Sequence, residues 1–174
     1  MNILANNEQV SMTRRFPNLP QKVLRRDSEI VKKIMFAWDL EHDKEKVLSI
    51  YLKEHKNLSD ERYWELMRTV WVLCGGLDNV EIFKKLMKSS RKQKHYFSTP
   101  EESKKLRELP ESFIVYRACN LENNNGISWT LSRDYAAYYQ TTFDKTHILS
   151  RKIEKKEVFA LIDRNLESEI VLFS

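Results

Sequence analysis

An arginine in the last third of the chain has the residue type and the setting to bind an anion. Arg117 follows the apolar, β-rich run 113–116, which is typical of a buried strand. A guanidinium held at the end of such a strand can grip a phosphate or a carboxylate through two parallel hydrogen bonds. Taken by itself, Arg117 is equally well explained by an ion pair with Asp134 or Glu169 that contributes only stability.

A second strand-like segment, 127–131, carries hydroxyl groups and a tryptophan. Successive side chains of a strand point to opposite faces of the sheet. The pattern therefore predicts that Ser128 and Thr130 share one face and that Trp129 lies on the other. Two hydroxyls on one face could line a binding site, although such groups often serve only as hydrogen-bond partners within the protein.

Two carboxylates, Glu167 and Glu169, begin the last strand-like segment of the chain. In an extended chain they project from the same face, and like charges this close raise the pKa of one of them unless a cation lies nearby. We expect Arg117 to be this cation beside the two glutamates. A Glu-x-Glu pattern alone is weak evidence, because it arises by chance in any charged sequence.

The first part of the chain is predicted to be helical, with weak periodicity before Pro20. Apolar residues recur at helical spacing from Ser28 to about Lys53, with a break expected between Asp39 and Asp43. Further helices are predicted from the cap Ser59 to Gly75-Gly76, over Val80 to Met87, and after Thr99, where Pro100 and Glu102 complete a capping box.

From Pro110 onward the pattern changes to short β-rich segments. Besides those already described, strand-like runs occur at 147–152, 157–162 and 169–173, and Ser132 opens one short helix among them. This order predicts an α+β fold, with a helical region over 1–109 packed on a compact β-core over 110–174.

The composition indicates a soluble, intracellular, cytoplasmic protein with no membrane span and no metal-ligand spacing among its 2 cysteines and 4 histidines. Residues 1–109 carry a net charge of +6, and residues 110–174 carry −1. A basic front of this kind could approach nucleic acid or an acidic protein face, but solvated helix surfaces explain such charge more often. The oligomeric state is left open.

Taken in order, Tyr116-Arg117-Ala118, Ser128-Trp129-Thr130 and Glu167-Ser168-Glu169 resemble the motifs of the Arg–Ser–Glu class of ADP-ribosyltransferases. The resemblance covers roughly residues 110–174, and a looser one, to small uncharacterised bacterial and bacteriophage proteins thought to share the fold, covers roughly 60–174. It implies an ADP-ribosyltransferase-like core and NAD as the substrate.

The resemblance also implies roles for individual residues. Arg117 would contact the NAD pyrophosphate and ribose, Ser128 and Thr130 would support the nicotinamide pocket, and Glu169 would be the catalytic glutamate. Glu167, two positions earlier, suggests an arginine acceptor on a protein. The aromatic residues that could stack on nicotinamide or line the pocket, each of which is also a candidate for core packing, are Trp129, Tyr135, Tyr138 and Tyr139.

Two departures from the family pattern bear on activity. Only ten residues separate Arg117 from Ser128, and Ala118 stands where related sequences often have glycine.

The implied function is an NAD-dependent mono-ADP-ribosyltransferase that modifies a host or cellular protein, as a bacteriophage effector in the host cytoplasm would. The alternatives are a catalytically inactive copy of the fold that binds and inhibits a partner, such as a host defence factor, and a nucleic-acid binder.

Overall fold

The computed structural model describes residues 16, 18–75, 79–121, 125–164 and 167–173. The chain forms two compact units. The first takes its described residues from Met1–Asp78 and Ser90–Phe97, and the second from Asn79–Ser89 and Ser98–Ser174. Each unit is described separately below.

The first unit is helical. Its α-helices are α1 (Gln21–Glu41), α2 (Lys44–Glu54) and α3 (Asp60–Cys74), with short 3-10 turns at His55–Asn57 and Lys94–Phe97. The expected break after Asp39 is confirmed, because His42 adopts a left-handed φ of 49° and Asp43 caps α2 by accepting from the Lys46 amide. Helix α1 begins earlier than the apolar pattern predicts, directly after Pro20, whose fixed φ suits the start of a helix.

Helix α3 forms the centre of the first unit. It buries most of its length, including Trp64 and Trp71, which are among the largest buried side chains of the chain. Ser59 caps the helix as predicted, and its hydroxyl also donates to the buried carboxylate of Asp27 at 2.6 Å. The helix ends at Gly75, which has the positive φ of 73° that favours glycine.

The second unit combines three helices with one sheet. The helices are α4 (Val80–Met87), α5 (Pro100–Glu108) and α6 (Arg133–Thr142), and the strands are β1 (Ser112–Cys119), β2 (Ser128–Thr130), β3 (His147–Glu154), β4 (Val158–Arg164) and β5 (Glu167–Leu172). The strands lie in the order β3-β1-β2-β5-β4, and every pair is antiparallel. The α+β class predicted from the sequence is confirmed, with α6 inserted between β2 and β3.

The register gives the two faces of this sheet different characters. On one face Trp129 lies opposite Ile170, which lies opposite Leu161, and these residues belong to a hydrophobic core cluster. On the other face Tyr116, Thr130 and Glu169 lie side by side on three adjacent strands. The alternation predicted for Ser128, Trp129 and Thr130 is therefore confirmed.

The second unit begins before Pro110, because α5 is held against the sheet by a buried carboxylate. Glu102, only 3 % exposed, accepts from the Thr99 amide at 2.7 Å and thereby completes the predicted capping box. Its other oxygen accepts from the Asp163 amide of β4 at 3.0 Å.

None of the helices in the described parts of the chain is long and apolar enough to cross a membrane.

The double role of Glu102 yields a test of the fold. Glu102→Ala leaves two backbone amides without their acceptor, so we expect the free energy of unfolding to fall by about 2–4 kcal/mol in urea titrations. The control is Glu108→Ala on the same helix. The Glu108 carboxylate is exposed and lies 3.8 Å from Lys104, so its loss should change the free energy of unfolding by less than about 0.5 kcal/mol. Equal losses in the two variants would contradict this role of Glu102.

Candidate functional site

A partly buried hydrogen bond joins Ser128 on β2 to Glu169 on β5. Thr130 lies directly opposite Glu169 in the register, so Ser128 is its diagonal neighbour on the same face. The Ser128 hydroxyl donates to Glu169 Oε1 at 2.6 Å, and Glu169 is only 3 % exposed. The short distance is typical of a hydroxyl that donates to a carboxylate. Two of the residues selected from the sequence are therefore in direct contact.

The guanidinium of Arg117 lies against the chain that leads into β2. Its Nη1 donates to the Ser128 carbonyl oxygen at 2.6 Å. Because Tyr116 is the residue opposite Thr130, the Arg117 side chain starts from the other face of β1 and reaches Ser128 by its length. Burial lowers the pKa of Arg117, while nearby Cys119, Tyr139 and Glu169 act in the opposite direction.

Gly126 makes the position of Arg117 sterically possible. A Cβ atom added at Gly126 would lie 2.0 Å from Arg117 Cζ and 2.0 Å from Nη2, far inside van der Waals contact. The φ of Gly126 is not positive, so its backbone conformation is open to other residues. Glycine is therefore required at this position because the guanidinium approaches the backbone closely, and not because the backbone conformation demands it.

A second arginine, Arg164, lies beside the two glutamates, and the sequence analysis missed it. Arg164 Nε is 3.5 Å from Glu167 Oε2, and Nη2 is 3.8 Å from Glu169 Oε2. The expectation that Arg117 would be the neighbouring cation needs correction, since Arg164 lies within ion-pair distance of both glutamates, whereas Arg117 donates to the Ser128 carbonyl. Arg164 stands three residues before Glu167 in the sequence, and this spacing could have indicated that the two residues face each other across β4 and β5.

Glu167 and Tyr135 form a polar contact next to this pair. Burial, and then the charge of Glu169, raise the pKa of Glu167, against the opposing effects of Arg164 and of a hydrogen bond from Tyr135. Burial and the neighbouring Glu167 raise the pKa of Tyr135 to about 12. The charge of Glu169 acts on Glu167 in the expected direction, but burial is the larger cause of the raised pKa, and α6 brings Tyr135 to the site.

Three other residues selected from the sequence have local structural roles. Trp129 belongs to the core cluster on the opposite face of the sheet and donates to the Gly126 carbonyl at 3.0 Å, so it is removed from the candidate ligand-binding residues. Thr130 accepts from the Ser132 amide at 3.1 Å, at the start of α6. Tyr139 contacts Phe143, with ring centroids 4.3 Å apart, and is close enough to Arg117 to act on it electrostatically.

The arrangement combines a buried carboxylate oriented by a hydroxyl, a second carboxylate with a raised pKa, and two guanidinium groups. The carboxylates could stabilise a developing cation or accept a proton, and the guanidinium groups could bind an anion. The described residues include no group of three or more His, Cys, Asp and Glu side chains that could hold a metal ion.

The contact between Gly126 and Arg117 can be tested by a double-mutant cycle. Gly126→Ala should displace the guanidinium and cost the hydrogen bond to the Ser128 carbonyl, so we expect a loss of about 1.5–3 kcal/mol in urea unfolding. In the Arg117→Ala background the same substitution should cost far less, because nothing remains to be displaced. Equal costs in both backgrounds would exclude this explanation of Gly126.

The raised pKa of Glu167 predicts a pH dependence of stability. Between the ordinary pKa of 4.5 and the higher folded-state pKa, the folded protein binds more protons than the unfolded chain, so stability falls as the pH rises through this window. Glu167→Gln should therefore be more stable than the wild type at pH 7, and this advantage should vanish below pH 4.5. Thermal unfolding at several pH values measures this effect.

The matched control for that experiment is Glu111→Gln, because the Glu111 side chain is 91 % exposed. It should follow the wild type across the whole pH range. A Glu167→Gln variant that is less stable than the wild type at pH 7 would show that the ion pair with Arg164 outweighs burial.

Comparison of the chain with family models, with curated proteins and with solved structures found no match.

Proposed function

We propose that the protein is an NAD-dependent mono-ADP-ribosyltransferase that modifies a protein acceptor. The observation that carries this proposal is the contact of three motif residues around β2, where Glu169 accepts from the Ser128 hydroxyl and Arg117 donates to the Ser128 carbonyl. Residues separated by 11 and 41 positions in the chain meet there. The resemblance to the Arg–Ser–Glu class of ADP-ribosyltransferases implies NAD-site roles for the same three residues.

The reaction transfers ADP-ribose from NAD to the acceptor. The bond between ribose C1′ and the nicotinamide nitrogen breaks, and nicotinamide leaves with the bonding electrons as a neutral molecule. The ribose becomes oxocarbenium-like, as in glycoside cleavage, until a nucleophile of the acceptor forms a new bond to C1′ and loses a proton. Glu169 supplies the negative charge that stabilises this cation, and its hydrogen bond to Ser128 fixes the orientation of the carboxylate.

Arg117 is the residue assigned to the NAD pyrophosphate. A guanidinium has five N–H donors, and the Ser128 carbonyl uses one of them at Nη1. The Nε of Arg117 is buried without a hydrogen-bond partner among the described residues. The contact with Ser128 limits the rotation of the guanidinium, so less side-chain entropy is lost when the pyrophosphate binds.

Glu167 is the residue assigned to the acceptor. An arginine acceptor must lose a proton as its guanidinium attacks C1′, and a carboxylate with a raised pKa accepts that proton more readily than an ordinary one. Tyr135, hydrogen-bonded to Glu167, holds the carboxyl group in position. The raised pKa of Glu167 therefore supports a protein arginine, the acceptor that the resemblance implies.

The second candidate is a non-enzymatic protein of the same fold that binds a partner, either a protein or a nucleic acid. Two observations favour it: Glu169 is only 3 % exposed, and Arg117 already donates to the main chain. NAD separates the two candidates, since a ligand that binds the folded state raises the melting temperature by mass action. A melting curve unchanged by millimolar NAD favours the binding protein, and a steep salt dependence of oligonucleotide binding would support nucleic acid.

The direct test uses NAD labelled in the adenylate part, with cell lysate as the source of acceptors. We expect transfer of the label to protein and release of nicotinamide. Glu169→Gln should lower both by about 100-fold or more, because it removes the charge that stabilises the ribose cation while keeping the size of the side chain. The rates are measured by scintillation counting and by chromatography of nicotinamide.

Glu111→Gln serves as the control, since it makes the same chemical change at a side chain that is 91 % exposed. It should keep the wild-type rates, and cooperative thermal unfolding of both variants should establish that they are folded. Wild-type protein that neither releases nicotinamide nor labels any acceptor would exclude the transferase.

A further inference from the structure

Arg164 ends strand β4 next to the two glutamates, and none of the sequence motifs includes it. Arg164 is the register partner of Glu167, and Ile162, two residues earlier, is the partner of Glu169. Alternate residues of paired strands share a face, so Arg164, Glu167 and Glu169 project from the same side of the sheet. The strand pairing places one guanidinium between two carboxylates.

The contacts of Arg164 are ion pairs and not strong hydrogen bonds. Its Nε is 3.5 Å from Glu167 Oε2, and its Nη2 is 3.8 Å from Glu169 Oε2, both longer than a well-formed N–H to oxygen bond. The Arg164 and Glu169 side chains are 29 % and 4 % exposed, so solvent screens this charge only partly. Arg164 therefore acts on the glutamates chiefly through its charge.

Further groups in the described part of the chain act on the glutamates from neighbouring elements. Ser128 of β2 donates to Glu169, Tyr135 of α6 donates to Glu167, and Arg117 of β1 acts on Glu169 from a greater distance. Asp163 projects from the other side of β4 and pairs with Lys105 at 2.8 Å. Among these groups Arg164 alone carries a positive charge that contacts both carboxylates.

We propose that Arg164 is a positioning residue for the Glu167–Glu169 pair, offsetting their repulsion and holding both carboxylates in their working orientation. One oxygen of Glu169 accepts from the Ser128 hydroxyl and the other faces Arg164. A contact at each oxygen therefore fixes the orientation of the carboxylate plane. The catalytic consequence rests on the proposed transferase function, whereas the electrostatic consequence does not.

The first measurement follows the Glu167 carboxyl carbon by NMR as the pH is varied. Arg164→Gln should raise the pKa of Glu167 above that of the wild type, because Arg164 is among the groups that lower it. The matched control is Lys152→Gln, which removes one positive charge from an exposed position on β3, the strand at the opposite edge of the sheet. It should leave the titration of Glu167 unchanged.

The second measurement is turnover of NAD. Arg164→Gln should lower kcat by about 10- to 100-fold, the effect of misplacing a reacting group by about 1 Å, while KM for NAD changes little. The acid limb of the pH profile should move to higher pH, as a property of the coupled carboxylate pair. Arg164→Lys keeps the charge without the planar fork and should recover part of kcat.

The outcomes separate this proposal from the proposed function. If the wild type does not act on NAD, the transferase is excluded, and the Glu167 titration alone decides the role of Arg164. A titration that moves in Arg164→Gln but not in Lys152→Gln supports the role; movement in both or in neither overturns it. In an active enzyme, wild-type kcat and an unmoved acid limb in Arg164→Gln overturn it whatever the titration shows.

Should Arg164→Gln fail to fold, Arg164→Met carries the test, because it also removes the charge and keeps an unbranched side chain. In an active enzyme, a reduced kcat with a shifted acid limb supports the role, and wild-type kcat with an unmoved acid limb overturns it. In an inactive protein, the Glu167 titration of Arg164→Met decides: a midpoint above that of the wild type supports the role, and an unchanged midpoint overturns it.

Discussion

The candidate site depends on one constraint, which is that the carboxylate of Glu169 is buried in the sheet and must be compensated there. A buried charge without partners costs several kcal/mol, so it persists only where hydrogen bonds and opposite charges surround it. The Ser128 hydroxyl, 2.6 Å away, and the guanidinium of Arg164, 3.8 Å away, supply that compensation. Both come from strands that flank β5, so the site exists only when β2, β5 and β4 are paired in this register.

The short strand β2 is central to this arrangement. This strand has three residues, yet it separates β1 from β5 and contributes to both faces of the sheet. Trp129 fills the core on one face, while Ser128 orients the carboxylate on the other. Gly126, just before the strand, leaves space for the guanidinium of Arg117. The five residues 126–130 thus supply a tryptophan to the core, a hydroxyl donor to Glu169 and a glycine that the Arg117 guanidinium can approach closely.

A second buried carboxylate shows the same physical principle in a structural role. Glu102 is as deeply buried as Glu169, but its oxygens accept from two backbone amides, at Thr99 and at Asp163. These donors are fixed in the main chain, so the group stabilises the joint between α5 and β4. The partners of Glu169, in contrast, are side chains of residue types that also bind and transform ligands. The difference in partners, and not the depth of burial, distinguishes the candidate site from a structural carboxylate.

The sequence by itself determined the elements of the fold, because their signals are local. The cap at Ser59, the capping box of Thr99 and Glu102 and the alternation around Trp129 each depend on residues within a few positions of one another. For the same reason the placement of Glu167 and Glu169 on one face could be predicted from their spacing, whereas the burial that is the main cause of the raised pKa of Glu167 could not.

The tertiary structure alone decided which charges meet. Arg164 replaces Arg117 as the cation in contact with the glutamates, because that choice depends on the register between β4 and β5. The reach of Arg117 over Gly126 to the Ser128 carbonyl depends in the same way on how β1 and β2 align. Strand register is set by contacts among residues far apart in the chain, whereas caps and alternation are set by neighbours, and this is the physical reason for the division.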